Sequence, residues 1–351
     1  MNKLFKIISL FLLIPLFVLA SERNIDFNKQ KIISKTYDVN SNASIKVSNS
    51  YGNVNVYLWD ENKISIQVTI KVSGNNEKKV VERLNEIDVL FKASSNRISA
   101  ITEINGKSTQ RKNNLSYEIN YIIKIPKNGN ADLTNKYGDI SIEKLNGDLT
   151  VDCKYGNLFL GELNGKSNNL KVSYSQNSII KSIDKLNLNS QYSDLEIPKC
   201  NQINIDGNYN TFNFQSIGDL NLTSNYTNVK ALIILKSIII GNYLNLKLGK
   251  IGNLTTIKTN YSDIQMEADN NTKLISIVGN HTNSKITGPP NYAFDIQLEL
   301  KYGSFKDAFG INYTDKYIKN TLKSLKGYHL NEGKSKIEII NNFGNIQLLT
   351  K

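Results

Sequence analysis

Apolar residues alternate with polar ones along most of the chain, and the alternation is organised around one recurring aromatic residue. Twelve copies align on it, at Tyr51, Tyr137, Tyr155, Tyr174, Tyr192, Tyr209, Tyr226, Tyr243, Tyr261, His281, Tyr302 and Phe343. From Tyr137 to Tyr261 it returns at intervals of 17 to 19 residues, and the residue four positions before it is apolar in every copy. Self-similarity at a fixed period of this length predicts a repeat architecture.

Both flanks of the aromatic residue have the pattern of half-buried strands. Apolar pairs follow it three and five positions later, as at Phe212 and Phe214, so each flank alternates with period two. The aromatic and the polar residue after it predict a turn. A unit of this size cannot bury its apolar face alone, so the units must coil on one another. The sequence therefore predicts an all-β fold, a parallel β-solenoid or β-helix of about 18-residue rungs over residues 131–351.

Equivalent side chains of stacked rungs form columns, so the recurring aromatics are predicted to form a ladder. Its predicted members are Tyr137, Tyr155, Tyr174, Tyr192, Tyr209, Tyr226, Tyr243, Tyr261, His281 and Tyr302. Asparagine precedes the aromatic in six copies, at Asn208, Asn225, Asn242, Asn260, Asn280 and Asn342. Stacked aromatics and asparagine ladders stabilise parallel in-register strands. A structural role is the favoured interpretation, and an exposed stripe that binds sugar or another polymer is the alternative.

Residues 21–130 depart from the repeat and predict a small, strand-rich α+β cap. Alternation from Ile64 to Val72 predicts a strand, and Asn76 is a suitable N-cap for one short helix. Such a cap would cover the strand edges of the first rung. An irregular, lysine-rich excursion at 308–335 breaks the period, and a short helix or a loop is expected there. The last rung, Lys336–Leu349, restores the pattern.

The first residues predict a secretory signal peptide over residues 1–20. Lys3 and Lys6 precede an apolar stretch from Ile7 to Leu19 that ends in small-residue spacing. This stretch is shorter than the roughly 20 residues that span a bilayer, and later apolar runs are short and interrupted. We therefore expect an exported chain, in the periplasm or at the cell surface, with no transmembrane segment after cleavage.

The chain is basic, with a formal net charge of +12, and this bears on its partners. Such a charge could attract anionic envelope polymers or nucleic acid. All four arginines precede Ala131, however, so the repeats offer no guanidinium fork for phosphate. Solvating lysines are the favoured interpretation. No nucleic-acid partner is predicted, and an envelope polysaccharide or a surface protein remains the open possibility.

The residues that might carry chemistry fall in structural positions of the repeat. His281 replaces tyrosine in the aromatic column, and Cys153 and Cys200 occupy different columns, too far apart for a disulfide. Asp139 and Asp194 share a corner column but lie three rungs apart, roughly 14 Å, and cannot share a metal ion. No serine or cysteine has a histidine near it in the pattern. No catalytic residue, cofactor site or metal site is predicted.

Two segments carry a resemblance to a known family. The segment Ile45–Val72, which reads IKVSNSYGNVNVYLWDENKISIQVTIKV, and the closing KIEIINNFGNIQLL resemble a family of bacterial exported proteins described as adhesins, whose domain is otherwise of unknown function. The helix and the Tyr-Gly corners are similar too, so the resemblance covers nearly the whole mature chain. It implies a β-solenoid and adhesion, and it transfers no catalytic or binding residue. Many central copies depart from Tyr-Gly.

We therefore expect an exported adhesin-like or structural binding protein that presents a repetitive solenoid surface and has no catalytic activity. Two alternatives stay open. One is a polysaccharide-active β-helix enzyme, which the architecture alone suggests. The other is a periplasmic accessory factor in envelope stress signalling. Two carboxylates about 5 to 10 Å apart in a groove would favour the enzyme.

Overall fold

The computed structural model describes residues 26–106 and 115–351, and one sheet joins all 26 of the strands in this part of the chain. The predicted signal peptide lies outside the described residues. The N-terminal region contains β1 (Phe27–Asp38), β2 (Ser44–Ser50), β3 (Val54–Trp59), β4 (Lys63–Gly74), α1 (Glu77–Glu86), β5 (Ile87–Ala93), β6 (Arg97–Ile104) and β7 (Ser116–Pro126).

The remaining strands run to the end of the chain. They are β8 (Asn130–Lys136), β9 (Ile140–Leu145), β10 (Leu149–Lys154), β11 (Leu158–Leu163), β12 (Asn168–Ser173), β13 (Ser178–Gln191), β14 (Asp194–Asn208), β15 (Thr211–Asn225), β16 (Thr227–Asn242), β17 (Leu244–Asn260), β18 (Asp263–Ala268), β19 (Leu274–Asn280), β20 (Asn283–Gly288), β21 (Phe294–Lys301), β22 (Phe305–Asp307), β23 (Asn312–Lys319), β24 (Leu322–His329), β25 (Lys336–Asn342) and β26 (Ile346–Thr350). No helix among residues 26–106 and 115–351 is long and apolar enough to cross a membrane.

Each rung consists of two strand segments that meet at the recurring aromatic residue. The segment before the aromatic pairs in parallel with its equivalents on either side, as β8 does with β2 and β10. The segment after it does the same, as β9 does with β3 and β11. In β13 to β17 the segment after one aromatic continues without a break into the segment before the next. We call the segments before the aromatic sheet A and those after it sheet B. The predicted fold class, an all-β parallel solenoid, is confirmed.

The inward side chains of both sheets form the core. Leu220 and Leu222 point inward from sheet A, and Phe212 and Phe214 point inward from sheet B. All four are buried, whereas the residue between each pair is exposed. Because side chains on a strand alternate between its two faces, the period-two pattern of the sequence places the apolar half inside and the polar half in water.

A column of small and polar side chains is buried beneath the aromatic corner. The hydroxyl groups of Ser224 and Thr227 form a hydrogen bond of 2.6 Å. Asn210 donates from Nδ2 to the carbonyl oxygen of Ser190 at 2.9 Å, and a Cβ on Gly207 would lie 3.0 Å from that Nδ2. A small residue on one side of the corner is thus matched by a larger polar residue on the other. This complementarity explains how the central copies depart from Tyr-Gly without losing the corner.

The outermost rung at the N-terminal end is not the first in sequence. β6 pairs in parallel with β2, and β7 with β3, so these two strands lie outside the Tyr51 rung. Strands β5, β4 and β1 then pair antiparallel with β6, β7 and β4, respectively. Asn76 caps α1 by accepting from the Lys79 N–H at 3.1 Å, and Val80 is buried. Four strands of the region 21–130 therefore belong to the solenoid stack itself.

The C-terminal rung is inserted between two earlier rungs. β25 pairs in parallel with β19 on one side and with β21 on the other, and β26 lies between β20 and β22. The rungs of His281, Phe343 and Tyr302 follow one another in that order. The expectation that Lys336–Leu349 is the last rung of the stack is therefore wrong. A repeat pattern specifies which face of a strand is buried, but it does not specify the neighbouring strand.

The excursion at 308–335 forms a β-hairpin, so the expectation of a short helix or loop is also wrong. β23 pairs antiparallel with β24, and β24 pairs antiparallel with β21. Asn320, in the two-residue connection, has a φ of 52°, which suits a tight hairpin turn. The outer strand β23 is mostly exposed and carries Lys316 and Lys319. Lysines on an outer strand discourage further strand pairing. Both ends of the stack thus switch from parallel to antiparallel pairing.

The inserted rung can be tested with paired cysteines at outward positions. Val278→Cys with Ile340→Cys should form an intramolecular disulfide, because the two residues are register partners on β19 and β25, about 4.8 Å apart. Val278→Cys with Glu299→Cys should not, because Ile340 lies between them and the separation is about 10 Å. Non-reducing electrophoresis and peptide mass mapping measure both. The opposite result would mean that the rungs stack in sequence order.

Candidate functional site

The recurring aromatics stack along the corner where the two sheets meet. Successive ring centroids lie 4.6–5.3 Å apart, and successive ring planes are within 19° of one another. The order along the rod is Tyr51, Tyr137, Tyr155, Tyr174, Tyr192, Tyr209, Tyr226, Tyr243, Tyr261, His281, Phe343 and Tyr302. All ten predicted ladder positions therefore lie in one column, in which Phe343 separates His281 from Tyr302.

Every ladder residue has a left-handed backbone conformation, with φ between 50° and 63°. This conformation is unfavourable for a residue with a side chain, by roughly 1–2 kcal/mol. Rung-to-rung hydrogen bonds hold it, as when the Tyr209 N–H donates to the carbonyl oxygen of Asn225 at 3.0 Å. Ring stacking contributes about 0.5–1.5 kcal/mol per pair. Each pair is shared by two rings, so the ladder gains about one stacking pair per residue, which offsets part of the backbone cost.

The ladder rings are half-exposed, but their faces are occupied. Tyr209 is 46% exposed. Its ring lies 4.7 Å from that of Tyr192 and 4.8 Å from that of Tyr226, nearly parallel to both. A ligand sugar has no room to stack on a ring face within the ladder. The ladder therefore presents ring edges and a row of hydroxyl groups at the rung spacing.

Two asparagine ladders run along the outer face of sheet A. The first adjoins the aromatics, and its Nδ2-to-Oδ1 bonds link Asn225 to Asn208 at 3.0 Å, Asn242 to Asn225 at 3.1 Å and Asn260 to Asn242 at 2.7 Å. Asn280, which the sequence places in the same column, has a buried Oδ1 without a partner among the described residues. The amide-to-amide chain thus spans the four rungs from Asn208 to Asn260.

The second ladder was missed by the sequence analysis. Asn187 donates to Asn169 at 3.0 Å, Asn204 to Asn187 at 3.0 Å and Asn221 to Asn204 at 2.9 Å. We call these four residues the asparagine row. They stand five positions before the aromatic in four consecutive copies, and that recurrence is the signal that would have identified them.

A shallow groove of about 590 Å³ lies over the asparagine row. Its rim includes the column between the two ladders, namely Asp152, Lys171, Asn189, Asp206 and Thr223. Each inner amide of the row gives one hydrogen and one oxygen lone pair to the ladder, which leaves a second hydrogen and lone pair for a ligand. The asparagine groove therefore presents fixed, uncharged donors and acceptors that repeat every 4.8 Å or so along the rod.

The other residues considered for chemistry lie apart from the asparagine groove. His281 is stacked between Tyr261 and Phe343. Cys153 and Cys200 are free and buried, and burial raises the pKa of each thiol from 9.0 to about 12. Within residues 26–106 and 115–351, no three His, Cys, Asp or Glu side chains come together as a metal site.

The role of ring stacking can be measured at one inner position of the ladder. Tyr209→Ala should lower the free energy of unfolding by about 1–3 kcal/mol, because it removes two stacking contacts. Tyr209→Phe keeps both contacts and should leave the thermal midpoint unchanged. Tyr209→Asn tolerates the left-handed backbone and should fall between them. Equal midpoints for the alanine and phenylalanine variants would show that stacking does not stabilise the corner.

The buried thiols should be inert in the native protein. A folded-state pKa above the unfolded value means that the neutral thiol stabilises the fold below about pH 9, and that this stability is lost as the pH rises toward 12. At pH 8, iodoacetamide should label Cys153 and Cys200 only after denaturation, because the thiolate is the reactive form. Mass spectrometry of labelled peptides measures this. Rapid labelling of native protein would show that the cysteines are accessible.

Comparison with known proteins finds solved structures that align with most of the chain at low sequence identity. No family model matches the chain, and no curated protein matches it. A proposed cell adhesion protein from Clostridium sporogenes is 11% identical over 92% of this chain and 100% of its own, with a TM-score of 0.19. A proposed adhesin from Parabacteroides distasonis is 10% identical over 92% and 97%, with a TM-score of 0.33.

A third solved structure has a different description. A proposed lipid-binding protein, also from Parabacteroides distasonis, is 10% identical over 90% of this chain and 96% of its own, with a TM-score of 0.29. The first two of these structures have descriptions that match the family to which the sequence shows a resemblance.

Proposed function

We propose that this chain is an exported, adhesin-like binding protein without catalytic activity, whose solenoid holds the asparagine groove against a polysaccharide of a cell envelope. The observation that carries the proposal is the hydrogen-bonded asparagine row in the groove. Sugar hydroxyl groups both donate and accept hydrogen bonds, and uncharged amides do the same. The amides of the groove can therefore form hydrogen bonds with a polyhydroxylated ligand.

The asparagine row is already ordered before a ligand binds. Its amides are held by one another and by in-register strands, so few side-chain rotamers remain to be fixed on binding. An extended ligand that lies along the rod would meet the same amide at each rung. Weak contacts repeated over several rungs then add up to useful affinity, as multivalent contacts do.

The arrangement of carboxylates supports binding over hydrolysis. Asp152 and Asp206 lie three rungs apart on the groove rim, about 14 Å, which is beyond the 5–10 Å between the carboxylates of a glycosidase. A second depression, of about 710 Å³, brings Glu143 and Glu162 to adjacent rungs. Glu162 is 61% exposed and pairs with Lys144 at 3.0 Å. Because Glu162 is exposed and ion-paired, it lacks the apolar, water-poor site in which a carboxylic acid protonates a leaving group.

Binding by the asparagine groove can be tested in two stages. The wild-type protein is first applied to a glycan array and to cell-envelope polysaccharides, where retention on at least one uncharged glycan is expected. Asn187→Leu with Asn204→Leu should then weaken affinity for that glycan about 5- to 100-fold, because two amides worth about 0.5–1.5 kcal/mol each are lost.

A matched control separates the groove from general surface effects. Asn177→Leu with Asn213→Leu makes the same change at exposed positions that follow the aromatic, away from the groove, and should leave affinity unaltered. Thermal midpoints of both variants verify folding. Wild-type protein that binds no envelope polysaccharide, or equal losses in the two double variants, would contradict the proposed function.

A further inference from the structure

A stretch rich in lysine runs along the outer face of sheet B, four positions after the aromatic in six consecutive rungs, and Asn213 and Glu196 occupy the same position in the two rungs before it. Its members are register neighbours, and their order along the rod is Lys230, Lys247, Gln265, Lys285, Gln347 and Lys306. All six side chains are exposed. We call the four lysines and two glutamines the lysine column. It contains no acidic residue.

The inserted C-terminal rung creates the spacing of this column. β26 places Gln347 between Lys285 and Lys306, which would otherwise be neighbours. From Lys247 onward, lysine therefore occupies every second rung and glutamine the rungs between. Two rungs correspond to about 10 Å. A regular alternation of charged and uncharged side chains results, and it depends on strand order rather than on sequence order.

Some lysines elsewhere on the solenoid are paired with acids on neighbouring rungs, whereas others, such as Lys181 and Lys185, are in no ion pair with a described residue. Lys144 lies 3.0 Å from Glu162, and Lys171 lies 3.5 Å from Asp152. Among residues 26–106 and 115–351, no ion pair involves a lysine of the lysine column. Lys230 and Lys247 are even direct register partners, an arrangement that is destabilising for like charges. An anionic ligand would relieve this repulsion.

A row of amides accompanies the lysine column two positions nearer the aromatic ladder. It consists of Asn228, Asn245, Asn283 and Asn345, and it is interrupted by Asp263, whose Oδ1 accepts from Asn283 Nδ2 at 3.0 Å. A depression of about 530 Å³ joins the two columns and is lined by Asn245, Lys247, Asn283 and Lys285, among others. The nearby Glu267 pairs with Lys351. Lysine ammonium groups, which can bind carboxylates, thus lie beside amides, which can bind hydroxyl groups.

We propose that the lysine column binds a linear acidic polysaccharide that carries one carboxylate on every second sugar. One sugar of an extended chain advances by about one rung, so alternate sugars meet alternate lysines. Lysine suits this ligand because its ammonium is a compact point charge, whereas bidentate phosphate recognition favours arginine. The flanking amides receive the hydroxyl groups of the neutral sugars. The lysine column lies on sheet B, so it does not depend on the asparagine groove of sheet A.

Hyaluronan oligosaccharides, which alternate a uronate with a neutral sugar, are the probe. The full-length wild-type chain should bind them, and binding should weaken as salt is raised because exposed charges are screened. Lys247→Gln with Lys285→Gln and Lys306→Gln should lower affinity about tenfold, as expected for three lost exposed ion pairs. The control is Lys166→Gln with Lys181→Gln and Lys185→Gln, which changes the net charge equally at exposed sites and should retain affinity.

Several results would overturn the proposal. They are the absence of hyaluronan binding by the wild-type chain, an equal loss of affinity in the two triple variants, and tighter binding to polyphosphate or to a single-stranded oligonucleotide than to hyaluronan. The proposal is supported if only the first triple variant loses hyaluronan affinity tenfold, and if neutral dextran does not bind at the lysine column. The asparagine-groove variants Asn187→Leu and Asn204→Leu should not alter hyaluronan affinity, so failure of one site is distinguishable from failure of the other.

Discussion

The whole surface of this protein depends on parallel, in-register pairing between rungs at the aromatic corner. At that corner the backbone turns through a left-handed residue whose N–H donates to the next rung, as Tyr209 does to Asn225. Because the pairing is in register, each repeat position stacks on its equivalent. Aromatic, asparagine and lysine columns are all consequences of this one constraint. A shift of one residue in any rung would turn its inward side chains outward and interrupt every column together.

The sequence predicted the rung well because the rung is a local feature. The aromatic period and the flanking alternation report which face of each strand is buried, and this fixed the fold class and the members of the ladder. The asparagine row was also visible in the sequence, as asparagine five positions before the aromatic at Asn169, Asn187, Asn204 and Asn221. It was missed because these side chains point outward, where hydrophobic patterning carries no information.

Other features could not be predicted from the pattern, because they concern which strands pair with one another and not which face of a strand is buried. β25 has the alternation of any rung, yet it pairs with β19 and β21, which are distant from it in sequence. The hairpin of β23 and β24 has weaker alternation, since β23 is exposed on both faces. In the buried polar corner, a small residue such as Gly207 makes room for a larger one such as Asn210. One repeat position considered alone does not reveal this compensation in size. Each of these depends on tertiary neighbours.

The inserted rung of β25 and β26 has a role in assembly. These strands follow β21 and β22 in sequence, yet they complete an interior layer of the stack, and β21 has no parallel partner until β25 arrives. A chain that ends before Lys336 is therefore not a shorter rod. It exposes unpaired strand edges at β19 and β21, of the kind that promote aggregation and invite proteolysis. Closure of the stack therefore depends on the presence of β25 and β26.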